Sequence, residues 1–240
     1  MEPARLTYRE HAVPAALRPW LACTWERTGA GGPPVRVIPD GCVDVVWTQG
    51  AGTMVAGPNT TAFLVPVAPG ARVAGVRMRP GAAAAVLGVS ADRLRDGRPG
   101  LREVWGDDGA RLSEALEAAA DPRALLLGAV AARVARAPEP DPLVRAAVAR
   151  LAADPSARVS RLASGLFVSE RQLRRRFEAA VGYGPKLLAR VVRLQRALAE
   201  ARAGAALAEA AVGAGYADQA HFAGDCRALA GAPPTIVLGR

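Results

Sequence analysis

Ser169-Glu-Arg-Gln-Leu-Arg-Arg-Arg-Phe177 is the stretch that decides the fold. Ser169 is a favoured helix N-cap, and Gln172 stands three residues on, where its side chain can close a capping box. Leu173 and Phe177 are four apart and share the face to be buried. Arg171, Arg174 and Arg175 lie off that face, and Gln172 shares their N-terminal half of the helix. Upstream, Leu162 and Ala163 sit on a short apolar helix that Gly165 to Val168 break. Two short helices, the second presenting arginines, form a helix-turn-helix with a recognition helix over 169–180. An arginine can grip guanine O6 and N7 through two parallel hydrogen bonds, or hold a phosphate.

The arrangement returns about 49 residues later. Ser169, Leu173, Phe177, Gly182 and Pro185 have counterparts in Asp218, Phe222, Cys226, Gly231 and Pro234. Ala163 corresponds to Ala211, with one extra residue in the second turn. Between the units, Pro185 to Arg202 has a strong helical pattern through Leu187, Leu188, Val191, Val192, Leu194 and Leu198. Those 18 residues span roughly 27 Å at 1.5 Å per residue. Such a rod can hold two recognition helices about one duplex turn, roughly 34 Å, apart. The candidate DNA contacts are therefore Arg171, Gln172, Arg174, Arg175, Lys186, Arg190, Gln219 and His221. His221 faces a phosphate or base edge, or else caps its own helix.

Charge supports this reading by its distribution. Of the formal +9, residues 158–202 carry 11 basic and 3 acidic side chains, a net +8. Residues 1–137 carry +3, and residues 203–240 carry −1. One stretch thus holds the electrostatic footprint of a phosphate-binding surface. Almost all the positive charge is arginine, Lys186 being the only lysine, and the Ala, Arg, Gly and Pro bias matches a GC-rich coding sequence.

The rest of the composition excludes several classes. No apolar run reaches about 18 residues, so no membrane span is expected. Met1 to Glu10 has charges without an apolar core, so it does not read as a signal peptide, and a cytoplasmic, nucleoid-associated bacterial protein is expected. Cys23, Cys42 and Cys226 are odd in number and far apart, which is no disulfide framework. A zinc site would need the scattered set His11, Cys23, Cys42 and Asp44, so packed thiols are the simpler reading and no metal or cofactor is expected. GxSxG, HExxH and a P-loop are absent and no GxGxxG stands in the right context, so the chain does not read as an enzyme.

The chain has room for two domains. Trp20 to Arg79 reads mostly as strands, among them Val43–Trp47, Ala62–Val67 and Arg72–Arg79, punctuated by Gly and Pro. Such spacing suggests a small barrel or sandwich. Helical patterns follow over 82–87, 110–119 and 123–136. Ala137-Pro-Glu-Pro-Asp-Pro142 then cannot continue a helix and reads as a linker. The expected organisation is α+β: a mostly-β domain with helices over 1–137, a linker over 138–142, and an all-α domain of two helix-turn-helix units over 143–240. Asp44, Trp47 and Arg77 lie in strand-like runs, where they either line an effector pocket or face solvent. Cys42 follows a Pro-Asp-Gly turn and reads either as a sensor thiol or as a packed one.

Ser169–Phe177, Gly182-Tyr-Gly-Pro185 and Gly215-Tyr-Ala-Asp-Gln-Ala-His-Phe222 together resemble the AraC-type DNA-binding domain over about 142–237. The resemblance implies base reading from Arg171, Arg174 and Arg175 in the first unit, and from Gln219, Ala220, His221 and Gly224 in the second. The chain departs from the family pattern at Gly224, where an arginine is common, at Cys226, where an aromatic is common, and at Ile236-Val237, where a Tyr-Arg pair is common. Phe167 stands at the usual turn glycine. Ile38-Pro-Asp-Gly-Cys-Val-Asp44 and Gly75-Val-Arg-Met-Arg-Pro-Gly81 are similar to an uncharacterised sensory domain that precedes this DNA-binding domain in actinobacterial regulators. Sensor domains in this family are commonly small cupin-like barrels. The resemblance implies a transcription regulator whose partners are double-stranded DNA and, through the N-terminal domain, a small-molecule effector or a second copy of the chain. An effector-independent regulator whose N-terminal domain only dimerises is the alternative, and the second unit can also serve as a contact for RNA polymerase.

Overall fold

The computed structural model describes residues 7–29, 31–66 and 68–239. Met1 to Leu6, in the stretch read as lacking a signal peptide, and Val67, the end of an expected strand, lie outside the described residues. The N-terminal domain is built on a five-stranded antiparallel sheet of order β1-β2-β7-β4-β5. Its strands are β1 (Thr7–His11), β2 (Leu21–Thr28), β4 (Val43–Thr48), β5 (Gly52–Ala56) and β7 (Arg72–Met78). A separate ribbon pairs β3 (Val35–Val37) with β6 (Phe63–Val65). The expected barrel or sandwich therefore takes the form of an open sheet beside a ribbon, with β1 and β5 as the sheet's edges.

Side chains alternate across a strand. Val43, Val45 and Trp47 of β4, with Val76 and Met78 of β7, enter the main core of this domain. The helices α1 (Ala83–Leu87), α2 (Leu101–Trp105), α3 (Asp107–Glu117) and α4 (Pro122–Val134) add Val86, Leu101, Leu116, Leu126 and Val130 to that core. Each fully buried aliphatic side chain there contributes about 1.5–3 kcal/mol relative to exposure. The other sheet face carries Cys23, Trp25, Val46 and Val73. Gly75 lets the Trp25 ring lie on it, since a Cβ there would stand 2.2 Å from the indole.

The C-terminal domain is helical throughout: α5 (Pro142–Ala153), α6 (Val159–Ser164), α7 (Glu170–Val181), α8 (Pro185–Arg202), α9 (Leu207–Gly213), α10 (Gln219–Ala230) and α11 (Pro234–Leu238). Asp141 starts α5, accepting from the amides of Leu143 and Val144, with Pro142 at the first helical position. The same carboxylate receives Arg176 of α7 at 2.7 and 2.5 Å, which ties the domain entrance to the first recognition helix. Pro234 also opens a helix, because a proline at the first position gives up only an amide that has no partner in the helix.

The two domains meet at the C-terminal ends of α7 and α10. A helix leaves its last carbonyls without internal partners. At the end of α10, Ala62 N donates to Leu229 O at 2.7 Å and Arg36 Nη1 donates to Ala230 O at 2.8 Å. At the end of α7, Ser90 Oγ lies 3.2 Å from Ala179 O and shares its single proton between that carbonyl and the Asp92 carboxylate. Between them, Gln195 Nε2 of α8 donates to Pro39 O at 2.7 Å.

Gly182 closes α7 at φ 96°, and a Cβ there would stand 2.4 Å from Pro58 Cγ and 3.0 Å from Ala91 O. Gly231 closes α10 at φ 69° with only the flexible Arg36 Nη1 close by, at 3.2 Å. Gly182→Ala is expected to cost about 2–4 kcal/mol, from left-handed strain plus overpacking of the domain contact. Gly231→Ala, with strain alone, should cost about 1–2 kcal/mol. Calorimetric melting of both variants checks this, and equal destabilisation would show that the Pro58 contact is not tight.

Candidate nucleic-acid interface

The first unit is α6, its turn and α7. Ser169 Oγ accepts from Gln172 N at 3.2 Å, and Gln172 Oε1 accepts from Ser169 N at 3.1 Å. The capping box is thus formed. Gln172, placed among the DNA contacts from sequence, has its side-chain oxygen committed to the cap, because the reciprocal bond to Ser169 holds it there. Leu173, Phe177 and Val181 are buried. Arg171, Arg174 and Arg175 are exposed on the opposite side. Arg174 Nε donates to Glu178 Oε1 one turn on, at 2.8 Å.

The turns of the two units match in backbone. Val168 N donates to Ala163 O at 3.2 Å, and Tyr216 N donates to Ala211 O at 2.9 Å. The residue before each amide is left-handed: Phe167 at φ 56° and Gly215 at φ 90°. Phenylalanine bears a steric cost of about 1–2 kcal/mol there that glycine avoids. Its side chain is 96% exposed, so no packing offsets that cost.

In the second unit Asp218 caps α10, its Oδ1 accepting from His221 N at 2.7 Å. Gln219, Ala220 and His221 are exposed, and the His221 ring stands edge-on to Tyr216 at 5.1 Å. His221 therefore supplies the capped amide while its ring stays at the surface. Nothing lies within 4 Å of where a Gly224 Cβ would be. Asp225 is turned inward. Its Oδ1 accepts from Arg190 Nε and Nη2 at 3.1 and 2.8 Å, and its Oδ2 lies 3.7 Å from Arg193 Nη2. Arg193 also lies over the Tyr216 ring at 4.7 Å. Arg190, expected as a DNA contact, lines the surface and also pairs with Asp225, joining α8 to α10 across 35 residues, a pairing that local sequence does not announce.

Between the units runs a surface groove along the N-terminal half of α8. One depression of about 570 Å³ is lined by Arg158, Lys186, Arg190, Arg193 and His221. A second, of about 870 Å³, is lined by Arg171, Arg174, Lys186, Arg190 and, from the N-terminal domain, Arg95. Lys186 and Arg190 belong to both, so a groove richer in cations than in acids runs from α7 to the start of α10, with Glu170, Glu178 and Asp225 also in its lining. Arg95 was not among the residues read from sequence. The signal available was the basic run Arg93-Leu-Arg-Asp-Gly-Arg98, which no motif tied to the recognition helix.

Of the expected effector residues, Asp44 and Arg77 meet and Trp47 stands apart. Asp44 and Arg77 pair across β4 and β7, Arg77 Nε and Nη2 donating to the Asp44 carboxylate at 3.2 and 3.3 Å. Trp25 Nε1 also donates to Asp44, at 3.0 Å, and Glu10 takes Arg77 Nη1 at 3.1 Å. Trp47 lies three residues from Asp44 on the opposite sheet face, fully buried, with its indole N–H on Glu117 at 2.9 Å. An odd spacing on a strand puts two side chains on opposite faces, so Trp47 is no wall of a pocket at Asp44. Burial also pushes the Cys42 thiol well up, which disfavours the reactive thiolate. No group of three or more His, Cys, Asp or Glu is placed to hold a metal among the described residues. No described helix is long and apolar enough to cross a membrane.

Residues 162–240 match a helix-turn-helix domain family, and residues 9–99 match DUF6597, a domain of unknown function. Among solved structures, the chain is similar to a probable AraC family transcriptional regulator from Rhodopseudomonas palustris. That likeness has 28% identity and a TM-score of 0.37, covering 42% of this chain and 97% of that one. ToxT from Vibrio cholerae aligns over 87% of this chain and 94% of its own, at 11% identity and TM-score 0.49. An apo ToxT variant aligns over 98% of this chain and 96% of its own, at 10% identity and TM-score 0.50, a likeness of fold alone. No curated protein sequence matches the chain.

Burial raises the Asp44 carboxyl to about 6, with Arg77 pulling the other way and Asp40 adding to the rise. Its folded value lies above the unfolded one near 4, so between about pH 4 and pH 6 the folded state holds the extra proton. This group's contribution to stability therefore falls as pH rises through that window. Carboxyl-carbon NMR should show Asp44 titrating near pH 6, and Arg77→Ala should move the midpoint higher. A midpoint near 4 in the native protein would contradict the burial.

Proposed function

We propose that the chain is an AraC-type DNA-binding transcription regulator that reads its operator chiefly through α7, with α10 as the lesser reader. The observation that carries this is the contrast between the two helices. α7 presents Arg171, Arg174 and Arg175 on its exposed side, whereas the corresponding positions of α10 are Ala220, Ala223 and Gly224. Arginine forks discriminate bases by about 1–3 kcal/mol per good bidentate pair. α10 offers Gln219 and His221, together with an N-terminal dipole that favours phosphate. With those contacts alone, α10 is also free to act as a contact for RNA polymerase.

On this reading residues 1–137 form a sensory or dimerisation domain, 138–142 the linker and 143–240 the DNA-binding domain of a cytoplasmic, nucleoid-associated protein. The hydrogen bonds from the N-terminal domain to the ends of α7 and α10 support a regulatory role, since a small effector or a second copy bound there would act on both recognition helices. A thermal-shift screen of the full chain against metabolites separates an effector-binding domain from one that only dimerises.

Selection of bound sites from random duplexes, followed by binding of Arg171→Ala, Arg174→Ala and Arg175→Ala, tests the α7 reading. A base-reading arginine should cost about 1–3 kcal/mol and relax preference at one position. A phosphate-holding arginine should weaken all sequences alike, and wild-type affinity should fall steeply with salt. Three variants that bind like wild type, or an association constant indifferent to salt, would overturn it.

A further inference from the structure

We propose that the N-terminal domain is itself part of the DNA-binding surface, with Arg95 holding a backbone phosphate beside the first recognition helix. The inference rests on the reading of α7 as the groove-binding helix. Arg95 follows the 3₁₀ turn Ala91–Leu94, which packs directly on the C-terminal half of α7. Ser90 Oγ bonds Ala179 O, and Ala91 O and Pro58 crowd Gly182. The neighbours of Arg95 are held firmly. Leu94 is buried, and its carbonyl would stand 1.8 Å from a Cβ on Gly57. Asp96, at φ 56°, accepts from both the amide and the hydroxyl of Thr60 at 2.7 Å, while its own amide donates to Pro58 O at 3.1 Å.

Arg95 is therefore an exposed cation carried on a fixed backbone, and it lines the same depression as Arg171, Arg174 and Lys186. Among the described residues its guanidinium has no ion-pair partner. Nearby Arg98 differs, being bound to Asn59 Oδ1 at 2.6 Å and stacked on Phe63 at 3.8 Å. A major groove about 12 Å wide admits a helix about 10–12 Å across, which brings the two sugar-phosphate strands along its flanks. A cation rising from an element packed on that flank meets phosphate rather than base edges. It fixes position on the duplex without reading sequence.

The test is equilibrium binding of the full chain, across a salt series, to a duplex selected by the wild type and to an unrelated duplex. Arg95→Ala should weaken both about three- to tenfold and lower the salt slope by about one, as expected for one lost phosphate contact. Arg95→Lys should restore the slope. Arg111→Ala, which removes the same charge from an exposed site on α3, should leave the slope unchanged and so separates a local contact from net charge. If Arg171→Ala weakens binding while Arg95→Ala matches wild type in affinity and slope, this inference fails and the α7 reading stands. If Arg95→Ala and all of Arg171→Ala, Arg174→Ala and Arg175→Ala bind like wild type, the α7 reading fails and this inference with it.

Discussion

The last carbonyls of a helix need partners from outside it, and here both recognition helices take some of theirs from the N-terminal domain. Ser90 serves α7, while Ala62 and Arg36 serve α10. Hydrogen bonds of this kind are worth about 0.5–1.5 kcal/mol each, and the buried Leu229 and Ala230 acceptors of α10 would cost more if left unmet, whereas Ala179 of α7 stands at the surface. Their placement has a larger consequence than their energy. The two units are joined by α8, and they are also braced at their far ends by one sheet domain. A shift in that domain cannot leave the relation of α7 to α10 untouched. The N-terminal halves of both helices remain at the surface, so the brace holds the readers without covering them.

The same economy governs the charges. Arg176 is drawn to Asp141, and Arg190 and Arg193 converge on Asp225. These pairs tie α7 to the start of α5, and α10 to α8. Arg171 and Lys186, which have no ion-pair partner among the described residues, line the groove. A net +8 over residues 158–202 thus overstates the charge free for phosphate, because several arginines there hold the protein to itself. Arg95 adds back a cation from outside that stretch, which no count restricted to the helix-turn-helix units would find.

Local signals made much of this legible. Ser169 and Gln172 close their capping box, α8 runs from Pro185 to Arg202 as its apolar pattern requires, and Gly182 and Gly231 end their helices with positive φ. Each of these depends on residues within one or two turns of each other. The misreadings needed distant partners. Arg190 meets an aspartate 35 residues away. Trp47 and Asp44 share a run but not a sheet face. The open sheet depends on which strands neighbour which, and turn residues do not report that. Phe167 remains without a physical account: it bears left-handed strain at a turn where its repeat partner is glycine, with its ring in solvent.

On this view the two braced recognition helices meet DNA unequally. Protection footprinting of the full chain on its selected duplex tests it most directly. The account predicts one strongly protected major groove and a weaker one about a turn away, with Gln219→Ala/His221→Ala thinning only the weaker. Two major grooves protected to the same extent, with that double variant losing as much affinity as Arg171→Ala/Arg174→Ala, would contradict it.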